Sequence, residues 1–185
     1  MQEAIRRFSA LGVDTDKWLD PYGQKGIFLE LENGTIGKEE FLEKLRALTG
    51  RPVTHEEAAY AWVGFVKPTT KERMDIVKEL RRKGHRVVIA SNTNPYMMEH
   101  MHGPDFYEGR PIDDFFDCIY ASCDMKAYKP EAKFFTTILR EEGIRPEEAV
   151  FIDDSRKNAD GAEAVGIRGI WAPDGLNRDI LREIE

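Results

Sequence analysis

Residues 2 to about 66 carry their apolar positions at helical spacing. Ala4, Ile5, Phe8 and Leu11 form one stripe, and Gly12 supplies a stop. Residues 14–19 predict a short helix capped by Asp14. Thr35-Ile36-Gly37-Lys38-Glu39-Glu40 opens another, which carries Phe41, Leu42, Leu45 and Leu48 to a stop at Gly50. Thr54 and Glu57 have the spacing of a capping box, ahead of Ala58, Ala61, Trp62 and Phe65. Four helices with short joints predict a small bundle.

The pattern changes at Pro68-Thr69-Thr70-Lys71. Residues 70–83 predict an amphipathic helix with Met74, Val77 and Leu80 inward and Gly84 as its stop. Beyond it, β-rich runs near 86–91, 118–121, 149–153 and 167–171 alternate with helical patterns near 95–102, 130–142, 156–165 and 175–184. Such alternation predicts right-handed crossovers and a parallel sheet. The expected fold class is α/β: a small helical-bundle cap over residues 1–67 and a three-layer, Rossmann-like core over residues 68–185.

Composition narrows this picture. A length of 185 residues suits one domain, or one domain with a small insertion. Apolar content of 41% and charged content of 33% are those of a soluble globular chain. A net charge of −7 argues against nucleic acid as a partner. No apolar run approaches the ~20 residues of a membrane span. Met1 is not followed by a basic and then apolar stretch, so no secretion signal is expected. Cys118 and Cys123, the only cysteines, make no disulfide framework and suit a reduced, cytoplasmic setting. A monomer is expected.

The chemistry concentrates at three predicted strand ends. Val150-Phe151-Ile152-Asp153-Asp154-Ser155 is an apolar run ending in adjacent carboxylates. Two like charges side by side are costly to ionise together unless a cation lies between them. Taken alone, the segment suits a metal site and a helix N-cap equally well. The run 85–91 ends in the hydroxyl-amide cluster Ser91-Asn92-Thr93-Asn94 before Pro95. Tyr128-Lys129-Pro130 places a lysine before a proline able to open a helix, and Lys126 is its nearby alternative. A hydroxyl, a lysine and paired acids on successive loops of a parallel sheet form a phosphate-and-metal constellation.

In this order, Ser91-Asn92, then Lys129-Pro130, then Asp153-Asp154 with Asn158, the chain resembles the second, third and fourth motifs of the haloacid dehalogenase superfamily. The resemblance covers nearly the whole chain, and the helical segment around 31–41 is similar to the cap of small bacterial sugar-phosphate phosphatases. It implies a Mg2+-dependent phosphatase acting on a small phosphorylated metabolite through an aspartyl-phosphate. Ser91 and the N–H of Asn92 would then bind phosphoryl oxygens, and Lys129 would neutralise phosphate and nucleophile. Asp154 would ligate Mg2+, with Asp153 as second ligand or orienter, and Asn158 would fix the loop. The family's nucleophile is an aspartate ending a first apolar strand. Met1 to Phe8 reads instead as a helix, so the resemblance implies that this motif is missing, through truncation, a misassigned start or loss of activity.

Other features weigh less. Trp18, Phe28, Glu30, Trp62 and Phe65 are candidates to face substrate, although aromatics at helical spacing more often form core. His100 and His102, two apart on a helix, point apart and make no chelate. Gly161, Ala162, Ala164 and Gly166 read as close helix-on-sheet packing. Two alternatives stand beside the phosphatase: an inactive phosphate-binding or regulatory protein, and a 2-haloacid dehalogenase. The dehalogenase uses no metal, and the adjacent acids speak against it.

Overall fold

The computed structural model describes residues 1–20 and 23–184, which form two compact units. The first comprises Met1–Pro68, Asn92–Asp114 and Ala121–Lys126. It holds α1 (Gln2–Ala10), α2 (Thr15–Trp18), α3 (Ile27–Glu32), α4 (Lys38–Thr49) and α5 (His55–Val63). Residues 92–114 and 121–126, which the sequence reading assigns to the core, pack with these helices.

Each predicted helix of this unit forms, with α3 and a short helix at Ser122–Met125 in addition. The capping box closes at both hydrogen bonds: Thr54 Oγ1 accepts the Glu57 N–H at 3.2 Å, and Glu57 Oε2 accepts the Thr54 N–H at 2.8 Å. Asp14 occupies the N-cap position of α2 but makes no side-chain cap bond. Gly50 ends α4 in the left-handed conformation, φ 65°. The apolar stripes meet in an aromatic core, with Phe8 edge-on to Phe28 at 5.2 Å and to Trp62 at 5.3 Å. Trp62 and Phe28 are wholly buried there, and Trp18 and Phe65 pack against the same cluster. Glu30 pairs with Lys44 at 2.7 Å.

The second unit comprises Thr69–Ser91, Phe115–Tyr120 and Ala127–Glu185. Its helix α6 (Lys71–Arg82) is capped by Thr70 and leads to β1 (Val88–Ser91). In the first unit α7 (Pro95–Met101) follows, with Asn94 as its cap, accepting the N–H groups of Tyr96 and Met97. Next come β2 (Cys118–Ala121) and α8 (Ser122–Met125). The chain continues through α9 (Ala132–Glu142), β3 (Val150–Asp153), α10 (Arg156–Glu163), β4 (Arg168–Trp171) and α11 (Arg178–Ile184). Pro130 precedes the N-cap Glu131, so it lies in the loop and does not open α9.

The alternation of helix and strand is as expected, but the strands do not form one continuous ladder. β1 pairs with β2, and β3 pairs in parallel with β4, with Val150 opposite Arg168 and Asp153 opposite Trp171. Helix α10 lies on β3 and β4 at very close range. A methyl group at Gly169 would sit 2.3 Å from the Ala159 carbonyl, and one at Gly161 would sit 2.6 Å from Pro130. Only glycine admits that approach. Phe135 of α9 meets Phe151 of β3 edge-on at 5.1 Å. Ile76 and Leu80 of α6 cluster with Leu181 of α11.

Candidate phosphate and metal site

Successive residues of a strand turn their backbone groups to opposite edges. In β3 the odd-numbered groups face β4: the Ala149 carbonyl accepts from Arg168 N–H, and that of Asp153 accepts from Ala172 N–H at 2.9 Å. In β1 the carbonyl of Val87 accepts the Asp117 N–H at 2.9 Å, leaving Ala90 on the edge away from β2. There the Lys129 ammonium donates to the Ala90 carbonyl at 2.9 Å and to Asp153 Oδ2 at 2.6 Å. One buried lysine thus ties the outer edge of β1 to the end of β3.

Lys129 and Asp153 are both nearly excluded from solvent, with side chains 8% and 9% exposed. A buried charge persists only when paired and hydrogen-bonded. Asp153 meets that demand at both oxygens, since Oδ1 accepts the Ser155 N–H at 2.8 Å and Asn158 Nδ2 at 3.1 Å. The Phe151 ring lies 5.2 Å from the ammonium.

Asp154 differs from its neighbour in every respect. Its residue is exposed, and its carboxylate makes no hydrogen bond or ion pair among the described residues. The backbone carbonyl of Asp154 accepts the indole N–H of Trp171 at 3.0 Å. Arg156 lies over that indole, 4.2 Å from the ring centroid. Ser155 stands at the N-cap position of α10 without a side-chain cap bond.

Ser91 is the last residue of β1, half-buried, and Asn92 follows it directly. Ala90 beside it and Asp153 share Lys129, so the segments that resemble the second, third and fourth motifs meet at that one side chain. Thr93 and Asn94 are wholly buried within the helical unit. Thr93 N–H donates to Ser122 Oγ at 2.9 Å, and that hydroxyl lies 2.5 Å from the Glu32 carbonyl. Ser122, Trp171 and Arg156 were not singled out by sequence. Trp171 alone offered a signal, an aromatic residue ending a β-rich run. His102 pairs with Asp113 at 2.5 Å rather than with His100.

The donor set suits a hard cation. Magnesium takes one or two carboxylates and completes its shell with phosphate and water oxygens. Asp154 offers such a carboxylate, uncommitted, beside an Asp153 whose oxygens are already occupied. Among the described residues no cluster of three or more His, Cys, Asp and Glu side chains gathers, and none is needed for that coordination.

The chain is similar to known proteins over most of its length. The haloacid dehalogenase-like hydrolase model matches residues 6–166. A D-ribitol-5-phosphate phosphatase from Bacteroides thetaiotaomicron is 35% identical over 177 residues, 95% of this chain and 85% of that protein. A HAD-like family hydrolase from Porphyromonas gingivalis superposes with a TM-score of 0.91 at 38% identity, covering 100% of this chain and 90% of that one. A HAD family enzyme from B. thetaiotaomicron, solved with magnesium and inorganic phosphate, superposes with a TM-score of 0.83 at 30% identity, covering 97% and 90%.

Proposed function

Because the chain belongs to the haloacid dehalogenase-like hydrolases, we propose that it serves a Mg2+-dependent phosphatase of small phosphorylated metabolites, sugar phosphates in particular. Membership and phosphatase relatives make the chain a phosphoric monoester hydrolase by family. The observation that carries the finer reading is the Ala90–Lys129–Asp153 bridge with an uncommitted Asp154 carboxylate beside it. A fixed ammonium at this point neutralises phosphoryl charge, and such preorganised charge dominates phosphoryl transfer. Ser91 donates its hydroxyl, and Asn92 its N–H, to phosphoryl oxygens. Asp154 would hold Mg2+, which supplies further neutralisation when bound, and the contacts of Asp153 are those of an orienter. Asn158 fixes the loop by its bond to Asp153.

The reaction also needs a nucleophile, which the family takes from an aspartate at the end of an apolar strand. In the strand-bearing unit, Asp153 and Asp154 are the only described carboxylates standing directly at a strand's C-terminal end. Asp14 and Asp16 belong to the start of α2 in the helical unit. We therefore assign the nucleophile to a further strand alongside β1 and β3. No described helix is long and apolar enough to cross a membrane. Cys118 and Cys123 are unpaired, and burial pushes the Cys123 thiol up to about 12, which suits packing rather than redox work. We take the protein to be a cytoplasmic monomer.

Phosphate-release assays on ribitol 5-phosphate and other sugar phosphates test this reading. The 185-residue chain is expected to be inactive. The same chain preceded by an apolar strand ending in Asp is expected to turn over with Mg2+ and to lose that turnover in Asp154→Asn. Turnover by the 185-residue chain that depends on Asp14 or Asp16 would overturn the assignment of the nucleophile. Phosphate binding without turnover in the extended chain would leave a regulatory phosphate-binding protein instead.

A further inference from the structure

Asp154 presents a difficulty for any ligand role: an exposed carboxylate with no side-chain partner should sample several directions. The backbone from which that carboxylate extends, however, is held on both sides. The peptide before Asp154 is held at the Asp153 carbonyl, which accepts the Ala172 N–H at 2.9 Å. The peptide after it is held at both ends. Its N–H, that of Ser155, donates to Asp153 Oδ1 at 2.8 Å, and its carbonyl, that of Asp154, accepts the Trp171 indole N–H at 3.0 Å. With both flanking peptide planes fixed, the direction of the Asp154 side chain from its Cα is fixed as well.

Trp171 is 43% exposed, an unusual place for so large an apolar side chain. Its ring is not adrift. Arg156, two residues beyond Asp154, stacks on one face at 4.2 Å and makes no ion pair among the described residues. The indole is the best of the side-chain rings for a cation–π contact, and arginine is the commoner cation. The stack sets the plane of the indole, and that plane aims the N–H at the Asp154 carbonyl. We propose that Trp171 is a positioning residue for the metal site, acting through the Asp154 peptide, with Arg156 holding the indole in register.

The proposal rests on Asp154 as the Mg2+ ligand, and the test separates the two. Magnesium chloride is titrated into the 15N-labelled 185-residue chain while the Ser155 and Asn158 amide resonances are followed. In Trp171→Phe, which keeps an aromatic face for Arg156 and loses the N–H donor, the half-saturating Mg2+ concentration is expected to rise about tenfold, the usual scale for removing an outer-shell partner. The unfolding midpoint is expected to stay at the native value, which a merely structural role would not allow. In the native chain the Trp171 indole N–H resonance should shift with Mg2+, and that of the buried Trp62 should not. Native half-saturation in Trp171→Phe, with the response lost in Asp154→Asn, overturns the positioning role alone. A native response in Asp154→Asn overturns the ligand assignment beneath it.

Discussion

In the helical unit Phe8, Phe28, Phe41 and Trp62 are wholly buried, whereas every residue of β1 keeps partial exposure and Val150 of β3 is exposed. Strands with helices packed against them in an α/β protein normally bury both faces, and all but the outermost strands pair at both edges. Among the described residues the four strands make two pairs, so each has an edge with no strand beside it. The difference lies in what closes each unit. The aromatic helices complete their core within their own unit, drawing in Tyr96 of α7 and the contact of α3 with α8. The strands need a lateral neighbour to satisfy their backbone, and among the described residues Lys129 is a tie between β1 and β3. A region can therefore have well-formed elements and remain energetically incomplete.

The largest effect should come from supplying that neighbour. An apolar segment of about six or seven residues ending in Asp, joined ahead of the chain, would pair the open edges of β1 and β3 and cover their exposed residues. Differential scanning calorimetry is expected to show a clear rise in melting temperature, together with the Mg2+-dependent turnover described above. If the extended protein melts no higher, the paired strands already satisfy themselves and the comparison between units loses its basis.

Next in size is a cut into the closed unit. Phe28→Ala removes a ring that touches Phe8, Phe41 and Trp62, leaving a cavity among neighbours with little room to collapse. The expected cost is about 3–5 kcal/mol, read from urea unfolding. A loss below about 1 kcal/mol would mean that this core is looser than its burial implies.

Lys129→Met probes the tie between strand pairs. It leaves the Asp153 carboxylate buried with only the Ser155 N–H and Asn158 for company, at a cost of about 3 kcal/mol. The double variant with Asp153→Asn should recover a large part of that loss, because the uncompensated charge is then gone. No recovery would show that the lysine acts by packing on Phe151 rather than by charge.

Much of this was legible in the chain itself. Strand positions came within two residues, because short β-branched runs between Gly-terminated helices leave few other readings. Motif order marked out Lys129 and the paired acids, but not that Asp153 takes the lysine. What escaped depends on tertiary contact. Helix α3, six residues long, has too few turns to show a period, and its end is fixed by Gly34, where a methyl group would meet the Cys123 carbonyl at 2.0 Å. Ser122 ties Glu32 to Thr93 across long stretches of sequence, and nothing in its neighbours announces this. The split of the strands into pairs was foreshadowed only by the expectation of a missing strand, since periodicity records faces and not edges. The bond from Trp171 to Asp154 joins residues 17 positions apart and needs the β3–β4 register to exist.

The smallest effect concerns the opposite rim of the strand unit, where charge closes what packing does not. Asp117 accepts the Val87 N–H at 2.8 Å and pairs with Arg81 at 2.8 Å, so it joins the start of β1 to the start of β2. The Val87 N–H first, then the Arg81 guanidinium, hold its carboxyl below the usual carboxylate range against the opposing effect of burial. A group whose folded pKa is depressed contributes its stability above its unfolded pKa, near 3.9, and loses it as pH falls through the lower folded value. Asp117→Asn keeps an acceptor for Val87 and removes the charge, so the expected loss at neutral pH is about 1 kcal/mol. Urea midpoints of native and variant should differ at pH 7 and draw together as the pH falls below the unfolded carboxylate value. A gap of constant size across that range would assign the effect to shape rather than charge, and the rim would then be held by the same means as the helical core.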